Sequence, residues 1–326
     1  MVTTPYINRV IRSCCMTIVS LLIVFGNAFC LLVLRRTNNI GLRDTTKIFL
    51  ISLTCADLSL GIFGAIPVTI SAGLGYFPDT YISTPVSFCT LHASAVHSLS
   101  LISCLSLFVV TVERYISVVS PLRYPLIVTV RRTKIVVIFL WTFICMFFFV
   151  GIIVPYITVL QYIFPLSLRY MDPDYLICFP SLSERQDSNI TQGFFWITVI
   201  CGFTPILNVV FMYTRMLHIA RRRIINTSKR KTSSNEIADV IAKRQLASER
   251  RAVLTFLIIT TASIVAWLPF TAVVFVELIL LYIAEPYWKF LSILFLFSGS
   301  WFNVVIYYIR NKRFRTTAKQ ILSSIL

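Results

Sequence analysis

Val109-Val110-Thr111-Val112-Glu113-Arg114-Tyr115 runs from the middle of an apolar stretch straight into an acid beside a base. It closes the third of seven apolar stretches, at about 13–34, 48–72, 86–112, 135–160, 193–213, 253–283 and 288–309. Each is long enough to cross a bilayer as a helix of roughly 20 residues, the form in which a single segment satisfies its own backbone groups in hydrocarbon. A glutamate-arginine pair at a membrane edge is costly unless the two charges serve a purpose. Composition agrees, with 57% hydrophobic and 13% charged residues and a mean hydropathy of +0.82, values foreign to a soluble domain. The expected fold is all-α, a seven-helix transmembrane bundle.

Lysine and arginine set the orientation. With the N-terminus and the 2–3, 4–5 and 6–7 loops on one side, that side holds Arg9, Arg12, Arg169, Arg185 and Lys289 of the 30 basic residues. The rest, including Arg221-Arg222-Arg223 and Arg310 to Arg315, fall on the other side. A plasma-membrane protein with its N-terminus outside is expected, and the +17 charge belongs to a cytoplasmic face suited to anionic lipid and an acidic protein partner. Nucleic acid is not an expected partner. The expected divisions are a short extracellular segment 1–12, a membrane domain 13–309 with a cytoplasmic loop 214–251, and a cytoplasmic helix and tail 310–326. No cleavable leader is expected, and a ligand would have to bind among helices and loops.

Most of the nine cysteines lie in spans, where a thiol packs as a small apolar group. Cys89, at the outer end of the third span, and Cys178, in the long outer loop, face the oxidising side, so a disulfide is expected, with two unpaired thiols as the alternative. Asn189-Ile190-Thr191 in that loop is a glycosylation sequon.

Asp57 is the one carboxylate deep within a span. A lone charge there must find a partner, a cation or a proton. Asn27, Ser103 and Asn303 stand at similar depth, oxygen-bearing groups that suit a sodium ion or a structural hydrogen-bond network. At the inner edge, Arg114 lies level with Glu113 and with Glu249 of the sixth span. One guanidinium between two carboxylates would form a clasp, or else snorkel to headgroups. Pro205 and Pro269 remove a backbone hydrogen bond mid-span and mark bends. Trp267 stands close enough to Pro269 for a ligand to alter that bend.

Taken together these residues resemble the rhodopsin-like (class A) G-protein-coupled receptors over essentially the whole chain. The matches run one set per span: Gly26-Asn27; Leu53 and Asp57; Cys89 with Glu113-Arg114-Tyr115; Trp141; Pro205 and Tyr213; Trp267-Leu268-Pro269; Asn303 and Tyr307. Phe314 resembles the start of the family's amphipathic eighth helix. The resemblance implies that Arg114, Tyr213 and Tyr307 rearrange to admit a heterotrimeric G protein. It implies further that Asp57, Ser103 and Asn303 form a sodium pocket, and that a small molecule or short peptide binds in the outer cavity. Three departures stand out: Val304 replaces the proline of Asn-Pro-x-x-Tyr, Ser263 replaces an aromatic, and Gly299 is expected to lower the ligand count near Asp57.

Pocket candidates are His92, Val96, His97, Phe179, Trp267, Val274 and Glu277. Val96 occupies the position of the amine receptors' aspartate, which argues against a salt-bridged biogenic amine. Val96 and Pro121-Leu122-Arg123-Tyr124 bear a faint similarity to adenosine-type receptors, although Val274 lacks their asparagine. A weakly coupling receptor-fold protein (a decoy or dimer partner) is the main alternative, with a transporter or channel behind it. No enzyme motif is evident, and no cofactor beyond sodium is expected.

Overall fold

A computed structural model of the chain describes residues 3–36, 43–73, 86–153, 170–172, 177–179, 208–219, 222, 236–279 and 284–324. Asn189 and Pro205 lie outside these residues, as do the side chains of Cys89, Cys178, Phe179, Glu249, Val274 and Glu277.

Six described helices are long and apolar enough to cross a membrane. The first runs Thr3–Arg36, the third Val86–Val119, the fourth Val130–Ile153, the sixth Glu236–Ile279 and the seventh Pro286–Arg310. The second comprises Asp44–Leu60, a π-helical turn Gly61–Ala65 and Ile66–Gly73. The expected fifth span, 193–213, is described only from residue 208, where the chain is helical to 219. A short helix, Tyr124–Ile127, links the third and fourth spans.

Two boundaries differ from the sequence reading. The sixth helix begins at Glu236, inside the stretch read as a linker, because Glu236 to Arg251 is rich in Ala, Glu, Lys, Arg and Gln, which favour helix without burial. The long loop contributes an antiparallel hairpin, Tyr170–Asp172 with Ile177–Phe179, in which Cys178 pairs with Met171. The hairpin lies against the third helix, which carries Cys89.

Among the described residues burial forms two large apolar clusters and a small third one of Ala56, Ile102 and Ile144. One, toward the end bearing Glu113 and Arg310, includes Leu50, Leu53, Val110, Tyr213, Met216, Phe256, Ile259 and Tyr307. The other, toward the opposite end, joins Met16 and Ile23 with Val96, Ile293 and Phe297, and Trp267 packs against it. Side chains such as Ile138, Phe139 and Met146 of the fourth helix are exposed, as lipid-facing residues of a spanning helix are. At the C-terminus Asn311 caps the next helix, Lys312–Ser323, its Oδ1 accepting from the Phe314 N–H at 3.2 Å. Phe314, Ala318 and Ile321 line one buried stripe of that helix, and its basic residues leave the other face polar. This is the eighth helix expected from the sequence.

The π-helical turn brings the first two helices into close register. A Cβ on Gly61 would stand 2.7 Å from Ile23 Cγ2 and 3.0 Å from Val24 Cγ2, so only glycine permits the approach. Gly26 is different: a Cβ there would meet Val304 Cγ2 at 3.9 Å, an ordinary contact. Gly61→Ala is therefore expected to destabilise the purified protein by about 1–3 kcal/mol, as overpacking does. Gly26→Ala should leave the melting temperature in detergent almost unchanged, and equal melting temperatures for the two variants would contradict this account.

Candidate functional site

Two buried polar assemblies lie one above the other in the bundle. The deeper is built on Asp57, which is fully buried. Ser103 of the third helix donates to its Oδ1 at 2.8 Å, and the Asn303 amide of the seventh donates to its Oδ2 at 3.0 Å. The Ser300 hydroxyl also reaches the carboxyl group. Asn27 does not join directly; its amide nitrogen donates to the carbonyls of Ile23 at 2.9 Å and Ser300 at 3.3 Å. Asn303 Oδ1 is buried and accepts no hydrogen bond from the described residues. The carboxylate, hydroxyl and carbonyl oxygens gathered here form a donor set suited to a hard cation. A Cβ on Gly299 would stand 3.1 Å from Ala266 Cβ, so glycine there serves the close approach of the sixth and seventh helices. The neighbouring Ser300 supplies the hydroxyl that Gly299 lacks.

The second assembly sits at the end of the third helix. Glu113 is 2% exposed and Arg114 is 7% exposed. Arg114 Nε lies 2.7 Å from Glu113 Oε2, and an Arg114 terminal nitrogen donates to Oε1 at 3.1 Å. Oε1 also accepts from Thr46 at 3.0 Å, from Thr45 at 3.4 Å, and from the Tyr124 hydroxyl. Burial, followed by the Glu113 carboxylate, raises the pKa of the Tyr124 phenol, which keeps it a donor. The Arg43 guanidinium covers the Tyr124 ring at 4.1 Å from its centroid. Arg114 in turn lies over Phe256 of the sixth helix at 5.1 Å, a cation–π contact that ties the third helix to the sixth.

The expected clasp thus has a different described partner set. The Glu249 side chain lies outside the described residues, whereas Glu113 and Phe256 hold Arg114. Sequence reasoning missed Thr45, Thr46 and Phe256, since a threonine pair and a span phenylalanine carry no signal until the helices are packed. Nearby, the buried Tyr213 hydroxyl is 3.2 Å from Thr260 Oγ1. Tyr307 is buried against Phe314, with ring centroids 6.4 Å apart, and its hydroxyl has no partner among the described residues. Tyr115 is half-buried beside the same cluster. Pro269 sits within the continuous sixth helix.

At the opposite end, His92 Nε2 is 3.1 Å from the carbonyl oxygen of Gly64 in the π-helical turn. Val96 and Phe297 close on the same glycine, where an added Cβ would meet each at 3.2 Å. Val96 and Phe297 belong to one buried apolar cluster, and the half-buried Trp267 packs against it. His97 is not part of it: the side chain is exposed and stacks on Phe147 of the fourth helix at 5.9 Å, because position 97 faces away from the bundle axis. Phe179, Val274 and Glu277 fall outside the described side chains, as does the expected Cys89–Cys178 disulfide.

Residues 26–307 match the model of the 7 transmembrane receptor (rhodopsin family). Human trace amine-associated receptor 8 is 27% identical over 99% of this chain and 89% of its own length. Human adenosine receptor A2b is 26% identical over 95% and 89%. Rat histamine H2 receptor is 25% identical over 96% and 83%. These relatives are receptors, not enzymes, and the apolar helices make the chain a multi-pass membrane protein. With residues 26–307 matched, the chain belongs to the rhodopsin family of seven-transmembrane receptors.

Proposed function

We propose that the protein is a plasma-membrane receptor, N-terminus outside, that activates a heterotrimeric G protein when a small molecule or short peptide occupies the cavity above Val96 and Trp267. The observation that supports it most is the Glu113–Arg114 pair. It is buried and held by Thr46 and Tyr124 on one side and by Phe256 of the sixth helix on the other. Such a contact is made in one arrangement of the sixth helix and lost in another. A ligand that binds the second arrangement more tightly shifts the population toward it. Movement of the sixth helix, bent about Pro269 and pressed by ligand through Trp267, would withdraw Phe256 and free Arg114 for the G protein. Tyr213 and Tyr307 stand next to the vacated space. The basic loops would complete the G-protein contact, and Glu249 would contribute to the closed form. Relatives named for trace amines, adenosine and histamine support a small ligand.

Arg114→Ala is expected to abolish agonist-driven G-protein activation. Glu249→Ala and Tyr124→Phe should raise basal activity in a Gα-dissociation assay. Normal activation by the Arg114→Ala protein at equal surface expression would contradict the role given to that arginine.

Sodium binding at Asp57 belongs to the same reading. Asp57 and Ser103 would hold the ion, with the buried Oδ1 of Asn303 as a further oxygen. Sodium chloride should then raise the melting temperature of the purified protein relative to choline chloride at equal ionic strength. Asp57→Asn should remove the difference, and a difference that persists in the variant would exclude this site.

A weakly coupling receptor is the second reading, favoured by the seventh helix running without a proline from Tyr287 through Val304 to Arg310. Under it, Val304→Pro should increase coupling several-fold, measured by the same assay. No change would remove Val304 as a cause of weak coupling.

A further inference from the structure

The sixth and seventh helices meet along a seam that two contacts define. Near the middle of the bundle, a Cβ added to Gly299 would stand 3.1 Å from Ala266 Cβ, and both residues are buried. At the inner end, Arg310 Nε donates to Thr255 Oγ1 at 3.4 Å, and the Thr255 hydroxyl donates to the Arg251 carbonyl at 2.8 Å. Thr255 precedes Ala266 by 11 residues on one helix, and Gly299 precedes Arg310 by 11 on the other. Eleven residues make about three turns, so each pair lies on one face of its helix. The two contacts therefore stand on a common line, roughly 16 Å apart.

The two contacts differ in kind. Neither Gly299 nor Ala266 has a side chain that can swing aside, so volume added between them must separate the helices. Pro269 cannot donate to the carbonyl of Val265, which places the weakest point of the sixth helix beside Ala266. The lower contact is polar and partly wet, with Arg310 exposed and Thr255 half-buried. At 3.4 Å it is near the long limit of a hydrogen bond, and a separation of about half an ångström removes it. Phe256, next to Thr255, carries the Arg114 guanidinium. The inner end of the sixth helix is thus held from the third helix and, separately, from the seventh.

We propose that Gly299 and Ala266 form the fulcrum on which the sixth helix turns, and that Arg310 and Thr255 latch its inner end to the seventh helix. The missing side chain at position 299 keeps the latch shut. Added volume there presses on Ala266 and opens the seam below it. This device acts beside the Glu113–Arg114 pair rather than through it, because it joins a different pair of helices. The link from an open seam to signalling rests on the receptor reading, whereas the seam rests on its own geometry.

The test uses the full-length protein in lipid nanodiscs, with spin labels attached by bio-orthogonal chemistry at Ile258 and Ile309, exposed on the sixth and seventh helices. The label-to-label distance is read first by electron paramagnetic resonance, and basal G-protein activation second. Gly299→Ala should lengthen the distance and raise basal activation at least about threefold. Alanine favours helix more than glycine does, so a weakened seventh helix would not explain that result. Adding Ala266→Gly to Gly299→Ala removes the opposing methyl and should return both readings to wild-type values. Thr255→Val keeps the side-chain shape, deletes the acceptor and should lengthen the distance with the fulcrum intact. Melting temperatures establish that each variant is folded, and Thr255→Val carries the test if Gly299→Ala is not. An unchanged distance in folded Gly299→Ala or in Thr255→Val overturns the proposal, as does a lengthened distance that Ala266→Gly fails to reverse. A seam that opens and closes in these variants while no G protein responds upholds the device and refutes the coupling reading. Agonist-driven activation of the wild-type protein with an unchanged distance in every variant does the reverse.

Discussion

The Glu113 carboxylate is the constraint around which the inner half of the bundle is arranged. A buried carboxylate without donors would cost more than the neighbouring packing returns. Here Arg114, Thr45, Thr46 and Tyr124 converge on it from three separate segments. Satisfying one acid thus fixes the start of the second helix, the end of the third and the short helix that follows. The arrangement also commits Arg114, whose guanidinium lies over the Phe256 ring. Because that ring belongs to the sixth helix, a local electrostatic requirement becomes a statement about where a distant helix end can lie.

Among the described residues, apolar packing rather than a continuous chain of hydrogen bonds fills the space between the two polar assemblies. Between Asp57 and Glu113 lie Leu53, Leu107, Val110, Tyr213 and Ile259, members of one buried cluster. Close packing transmits displacement because its members cannot deform independently. Tyr307 is buried in that cluster with its hydroxyl unsatisfied among the described residues. A buried hydroxyl without a partner carries a desolvation cost.

The fold class was legible because hydrophobic length alone forces a helix in hydrocarbon, and the bias of Lys and Arg marks the two faces. Asp57 was readable as the centre of a polar group because a carboxylate within a span must find partners, and Ser103 and Asn303 stood at similar depth. Other parts were hidden for physical reasons. Thr45 and Thr46 look like ordinary residues at a helix start until the third helix is packed beside them. His97 and His92 are indistinguishable in composition, yet five positions on a helix turn one toward the lipid and the other toward Gly64. The helical extension from Glu236 was missed because polarity suggested a linker, although the same residues are strong helix formers.

The sixth helix, continuous over 44 residues, is about 66 Å long at 1.5 Å per residue, more than twice a hydrocarbon core of roughly 30 Å. Its excess projects beyond the membrane on the Glu236 side, some 50 Å from Pro269 at the same rise. A change of about 10° at that proline would sweep the far tip through close to 9 Å if the intervening rod stays stiff. Geometry thus supplies gain: a small change of angle at Pro269 becomes, at the polar extremity, a displacement comparable to the width of a helix.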